Sequence, residues 1–167
     1  MQVSTESIRL LRERTGAGIM DSKRALEDAG GDMEKAEQAL REKGMARAAT
    51  KADRATAEGI IESYIHAGSR IGAMVELNCE TDFVGRTPEF RELAHNIAMQ
   101  VAAMSPLYLD QGEIPEGAEA NPEEVCLLRQ SFIRDPSKTI ADLVLEMRAK
   151  VGENIRVGRF VRFGLGE

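Results

Sequence analysis

The chain of 167 residues holds only two histidines, His66 and His95, and two cysteines, Cys79 and Cys126. Histidine is the usual proton shuttle and metal ligand near neutral pH, and cysteine the usual thiolate nucleophile. The two histidines are far apart in sequence, and no HExxH, CxxC, GxSxG or GxxxxGK[ST] spacing occurs. Gly16-Ala17-Gly18 is the nearest approach to a phosphate loop. It follows a helix pattern rather than a strand, and it lacks the third glycine and the lysine. His66 falls at the end of a hairpin pattern, and His95 lies off the apolar stripe of its helix, so both read as solvated. Cys79 alternates with Ala73, Val75 and Leu77 and reads as a small buried hydrophobe. No metal, cofactor or small-molecule substrate is expected, and no enzymatic reaction. A chain with so little catalytic equipment is expected to act by binding.

Two features suit binding. Ile19-Met20 lies between the Gly16-Ala17-Gly18 turn and Asp21. Two adjacent large apolar side chains cannot both enter one small core. Either one packs inward and the other is partly exposed, or the pair forms a knob for a partner helix with Arg12 beside it. Thr81-Asp82-Phe83-Val84-Gly85 follows a strand and precedes a helix. Phe83 in so short a connection either folds back as a core plug or inserts into another protein. Arg156, Arg159 and Arg162 could touch RNA. The net charge of −6 argues instead for a solvated or salt-bridged strand face and against general nucleic-acid binding.

The elements that must position these residues fall into two modules. Residues 1–54 predict three short helices. Ser4 caps the first, with Val3 and Ile8 as a hydrophobic staple, and Gly16 ends it. Asp21 is expected to cap the second, with Ala25, Leu26 and Ala29 inward, until Gly30-Gly31. Asp32 caps the third, with Met33, Ala36, Ala39 and Leu40 on one face, until Gly44. Residues 45–57 read as a helical or semi-flexible connector. The first module is nearly neutral, and the second, residues 55–167, carries the acidity.

In the second module, residues 59–66 and 71–79 predict a β-hairpin about a glycine turn. Thr87-Pro88 opens a helix whose stripe is Phe90, Leu93, Ala94, Ile97, Ala98, Val101 and Ala102. Residues 106–124, with six acids, no bases and three prolines, predict a solvated loop. Asn121-Pro122 starts a short helix, and Thr139 caps another that Gly152 closes. The end predicts a strand with Ile155, Val157, Val161, Phe163 and Leu165 on one face and Arg156, Phe160 and Arg162 on the other. No apolar run is long enough to span a bilayer, no signal peptide is read at the start, and two cysteines suit a reducing cytoplasm.

Three longer stretches carry a resemblance. Residues 11–26 (LRERTGAGIMDSKRAL), 75–84 (VELNCETDFV) and 151–155 (VGENI) resemble, in order and spacing, the signatures of bacterial elongation factor Ts. That family is the guanine-nucleotide exchange factor for elongation factor Tu, the GTPase that delivers aminoacyl-tRNA. The resemblance covers essentially the whole chain. It implies an α+β fold: an N-terminal three-helix, ubiquitin-associated-like domain over residues 1–54, then an α/β core with a helix-packed antiparallel sheet over 55–167.

The resemblance also implies roles. Arg12, Ile19 and Met20 match positions that grip a helix of the GTPase domain. Thr81, Asp82, Phe83 and Val84 match the motif whose phenylalanine wedges between histidines of the GTPase and disturbs its Mg²⁺ site. Val151 and Gly152 match a third motif, with valine where isoleucine is usual. Many relatives carry Met-Met where this chain has Ile19-Met20, and Cys in place of Ser22. Many also have two related core modules, where this chain has room for one. Its hairpin around His66 resembles the contact hairpin of the absent module, and short relatives pair as homodimers. The expectation is therefore a short exchange factor that acts as a homodimer on elongation factor Tu. It is expected to need no cofactor, nucleic acid or membrane. A non-catalytic adaptor and an RNA-binding accessory protein stand as the alternatives.

Overall fold

The computed structural model describes residues 3–167 and divides into two compact units. One comprises the chain up to Asp53 together with Glu146–Glu153; the other comprises Arg54–Leu145 and Asn154–Glu167.

The first unit is built on α1 (Thr5–Thr15), α2 (Ile19–Asp28) and α3 (Met33–Ala49). Ser4 caps α1 by accepting from the Ser7 amide, and Gly16 closes it in the left-handed region at φ 69°. That conformation is nearly free for glycine and costly for other residues. Leu11, Ala25, Leu26, Ala36 and Leu40 form the core, with Val3, Ile8, Ala17, Ala29 and Met33 packed around it. The small alanines let the helices approach closely.

Three expectations fail here. The cap of α2 is Gly18, without a side-chain bond, and Asp21 sits inside the first turn. There it accepts from Lys43 at 2.8 Å and Arg47 at 3.4 Å, tying α2 to α3. Helix α3 does not stop at Gly44 but runs on to Ala49. The run that follows, residues 45–49 (MARAA), favours helix, and one interior glycine costs it only about 1 kcal/mol. Gly44 itself leaves room for Ala149, which a Cβ there would meet at 3.3 Å. Ala39 is exposed, and lines a cleft of ≈ 330 Å³ between α2 and α3 instead of the core.

The second unit centres on an antiparallel sheet in the order β1 (Glu58–Ile65), β2 (Ile71–Cys79), β5 (Ile155–Gly164). Helix α5 (Pro88–Met104) packs across one face of all three strands. All seven residues of its predicted stripe are buried, beneath Ala73, Val75, Leu77 and Cys79 of β2. Short α4 (Asp82–Gly85) links β2 to α5. A small hairpin, β3 (Ser131–Phe132) with β4 (Asp135–Thr139), was not expected from sequence. Gln100, fully buried in α5, holds it: its amide nitrogen donates to Gln130 and to the Ser131 carbonyl, and its oxygen accepts from the Ile133 amide. The stretch 106–124 is not wholly a loop. It contains a 3-10 turn, α6 (Pro122–Val125) and a bridge from Tyr108 to Cys126. Helix α7 (Ile140–Val151) opens with a reciprocal cap, in which the Asp142 amide donates to Thr139 and the Thr139 amide to Asp142. Gly152 follows at φ 74°.

The last strand departs most from its expected pattern. Glu76 pairs with Arg159 but Leu77 pairs with Val157, so Gly158 is an extra residue and the strand bulges. Alternation therefore reverses midway. Ile155 and Val157 face α5, and beyond the bulge Phe160 and Arg162 do so, while Val161 and Phe163 turn to the opposite face. Arg162 reaches inward and donates to the Ala102 carbonyl at 2.9 Å, where it complements the C-terminal end of α5.

Candidate partner-binding sites

The residues singled out from sequence fall into both units. Arg12, Ile19, Met20, Val151 and Gly152 belong to the first, and His66, Thr81, Asp82, Phe83 and Val84 to the second.

In the first unit neither of the adjacent apolar residues enters the core. Ile19 is 58% exposed and Met20 66%. They open α2 directly after Gly18, and Ser22, Ala25 and Leu26 take the inward positions one turn on. Arg12 is exposed on α1. Val151 is half-buried, and the Gly152 carbonyl accepts from Lys51.

In the second unit Phe83 is 80% exposed, so it is no core plug. The turn that carries it is fixed from several sides. The Cys79 thiol donates to the Thr81 carbonyl at 3.0 Å, and the Thr87 hydroxyl to the Val84 carbonyl at 2.8 Å. Val84 is buried, and Gly85 packs so closely that a Cβ there would meet Cys79 Sγ at 3.5 Å and Gly59 O at 3.7 Å. Asp82 and Arg86 pair at 2.8 Å along the outer side of the turn. A rigid base with one projecting aromatic is a shape that loses little entropy on insertion.

His66 lies at the other end of β1. Its amide donates to the Ile71 carbonyl and its carbonyl accepts from Ser69, both at 2.9 Å, so the hairpin fixes its backbone. At ~3.3 Å per residue, the strand separates it from the Gly59 end, where α4 packs, by about 23 Å. Neither histidine is simply solvated. Tyr64 shares a hydrogen bond with His66 Nδ1 at 3.1 Å, and its ring meets His95 edge-on at 5.6 Å. His95 Nδ1 lies 3.3 Å from Glu62. Sequence reasoning missed Tyr64, although its i, i+2 spacing from His66 on a strand places both on one side.

Sequence reasoning also missed a second surface. On the sheet face away from α5, Ile61 (64% exposed), Ile65 and Phe163 (69% exposed) stand with Met74 and Val161, and Leu165 continues the row. The bulge hid it by reversing the end of β5. The other half of that face is polar. Glu76 accepts from Asn78 and Arg159, which hold its carboxyl below the ordinary value. Among the described residues no cluster of three or more metal-ligating side chains occurs. No helix there is long and apolar enough to cross a membrane.

These features define a two-unit α+β protein that presents large apolar side chains on ordered turns, as docking proteins do. Its relatives make the class specific. The family model described as Elongation factor TS matches residues 13–122. The protein named Elongation factor Ts from Carboxydothermus hydrogenoformans is 49% identical over 195 residues, covering 99% of this chain and 90% of that protein. Those of the same name from Thermotoga petrophila and Thermotoga maritima are 49% and 48% identical, each covering 100% of this chain and 98% of the relative. The chain belongs to the elongation factor Ts family.

Proposed function

We propose that this chain promotes GDP release from elongation factor Tu during polypeptide elongation, and that it does so by binding alone. Family membership gives the activity its class, and the observation that carries the mechanism is Phe83, 80% exposed on a turn pinned at Thr81, Val84 and Gly85. Asp82 and Phe83 form the wedge; Thr81 and Val84, also expected to touch the partner, anchor the turn instead, and Val84 is buried within this chain. Arg12, Ile19 and Met20 form a separate grip, with Val151 and Gly152 in the same unit.

The physical requirement is linkage. A factor that weakens nucleotide binding is itself weakened by nucleotide to the same degree. Each tenfold change corresponds to about 1.4 kcal/mol. Burial of Phe83 in the GTPase supplies about 1.5–3 kcal/mol, and burial of Ile19 and Met20 adds to it.

The active unit is a homodimer in this reading. The apolar outer face of the sheet, with Ile61, Ile65, Met74, Val161 and Phe163 exposed, suits a second copy of itself. One chain's hairpin histidine stands about 23 Å along β1 from the Gly59 end, against which the α4 turn that carries the wedge packs. His66 of one protomer and Phe83 of the other then meet the same GTPase. The test is release of fluorescent GDP from elongation factor Tu by substoichiometric amounts of the chain. Accelerated release with turnover supports exchange. Binding without acceleration would leave an adaptor.

A further inference from the structure

Both histidines of the chain gather on one tyrosine, and the hydrogen bond between Tyr64 and His66 has a direction that matters. The Tyr64 hydroxyl and His66 Nδ1 are 3.1 Å apart. A phenol O–H is a far better donor than a neutral imidazole N–H, and an imidazole nitrogen lone pair a better acceptor than a phenol oxygen. The hydroxyl therefore donates and Nδ1 accepts. A neutral imidazole that accepts at Nδ1 carries its proton on Nε2. Nε2 has no hydrogen-bond partner among the described residues, and His66 is exposed. The tyrosine ring is itself fixed from behind by the edge-on contact with His95, which Glu62 tethers through Nδ1. The backbone of His66 is already held by Ile71 and Ser69.

We infer that Tyr64 is a positioning residue, which sets His66 in the Nε2–H tautomer so that the hairpin offers one outward donor to an acceptor oxygen on its protein partner. The inference deepens the reading of His66 as a partner contact and rests on it. It names the chemistry of the contact: a carbonyl or carboxylate oxygen must face His66, and a donor there would be rejected. Pre-setting the tautomer removes the cost of selecting it at the moment of binding.

The experiment combines spectroscopy of the free protein with exchange kinetics. Two-bond ¹H–¹⁵N correlation spectra at about pH 8, where histidine is ordinarily neutral, separate the two tautomers, and the His66→Ala spectrum assigns the signals. Wild type is expected to show His66 with its proton on Nε2, and Tyr64→Phe a mixture. Phenylalanine keeps the ring against His95, so unchanged melting is the control for folding. Exchange efficiency is expected to fall about three- to tenfold in Tyr64→Phe, the worth of one hydrogen bond. His66→Ala is expected to lose at least as much, and the double variant little more than His66→Ala alone. An Nδ1–H tautomer in wild type overturns the inference. So does a Tyr64→Phe variant with full exchange while His66→Ala is impaired. Full exchange in His66→Ala, with the tautomer as expected, removes His66 from the partner contact and so overturns the underlying reading instead.

Discussion

Phe83 shows what a single side chain reveals once its surroundings are known. Chemistry alone left two fates for it, core plug or projecting wedge, and an exposure of 80% decides between them. Phe83→Ala therefore opens no cavity, in contrast to the roughly 3–5 kcal/mol lost when a buried phenylalanine is truncated. The expected outcome is an unchanged melting curve with strongly reduced GDP release, both read on the same preparation. Unchanged release would end its role as the wedge. Ser22 is the opposite case. Its hydroxyl is fully buried in the first unit and has no hydrogen-bond partner. Ser22→Ala is expected to stabilise that unit by about 1 kcal/mol, by removing an uncompensated buried polar group. Urea titration measures it, and a lowered midpoint would refute it. Residue types made Ile19, Met20 and Phe83 legible as binding candidates, because large apolar groups had no obvious core to enter. Tyr64 was not legible, since its importance lies in a neighbour's proton and not in its own type.

At the scale of elements, Gly59 carries more than its size suggests. A Cβ there would lie 2.2 Å from the Leu77 carbonyl oxygen and 2.8 Å from Asn78 Cα, both backbone atoms that cannot step aside. Gly59→Ala is expected to cost about 3 kcal/mol by forcing β1 off β2, and to displace α4, which packs on Gly59. Thermal melting together with GDP release checks both effects; wild-type stability would show that the strands can yield. The α2–α3 contact has a pH signature. The hydrogen bond from Lys43, with Arg47 nearby, holds the Asp21 carboxyl below the ordinary aspartate value of 3.8. A depressed folded-state pKa contributes stability that is present above the ordinary value and lost as pH falls through the lower folded one. The first unit is thus expected to weaken on acidification below 3.8, and Asp21→Asn to flatten that decline, as measured by urea titrations across pH. Helices with strong caps and stripes, α1 and α5 above all, were legible because their signals are local. The bulge at Gly158 was not, because a register shift exists only between paired strands. The β3–β4 hairpin was missed because two strands of two and five residues, one containing Pro136, carry too little alternation to stand out. The extension of α3 past Gly44 was missed because a glycine was read as a stop, although it sits inside the helix and alanines follow it.

For the whole molecule, the reversed end of β5 turns a strand-level irregularity into an assembly prediction. Phe163→Glu on the outer face of the sheet is expected to yield a folded chain that sediments at 18.3 kDa, where wild type sediments near twice that mass. If wild type is itself a monomer at concentrations where exchange is complete, the homodimer is excluded. The two cysteines have another consequence. Cys79 and Cys126 are fully buried, both belong to the second unit, and burial raises the Cys126 thiol above its ordinary pKa. Alkylation needs an exposed thiolate, so reagent reaches them only in the moments when that unit opens. The folded protein thus carries a built-in gauge: with reclosing faster than alkylation, the rate of iodoacetamide uptake follows the fraction of time the core stands open, while the three helices at the start of the chain, having no thiol, can unfold and refold without being recorded.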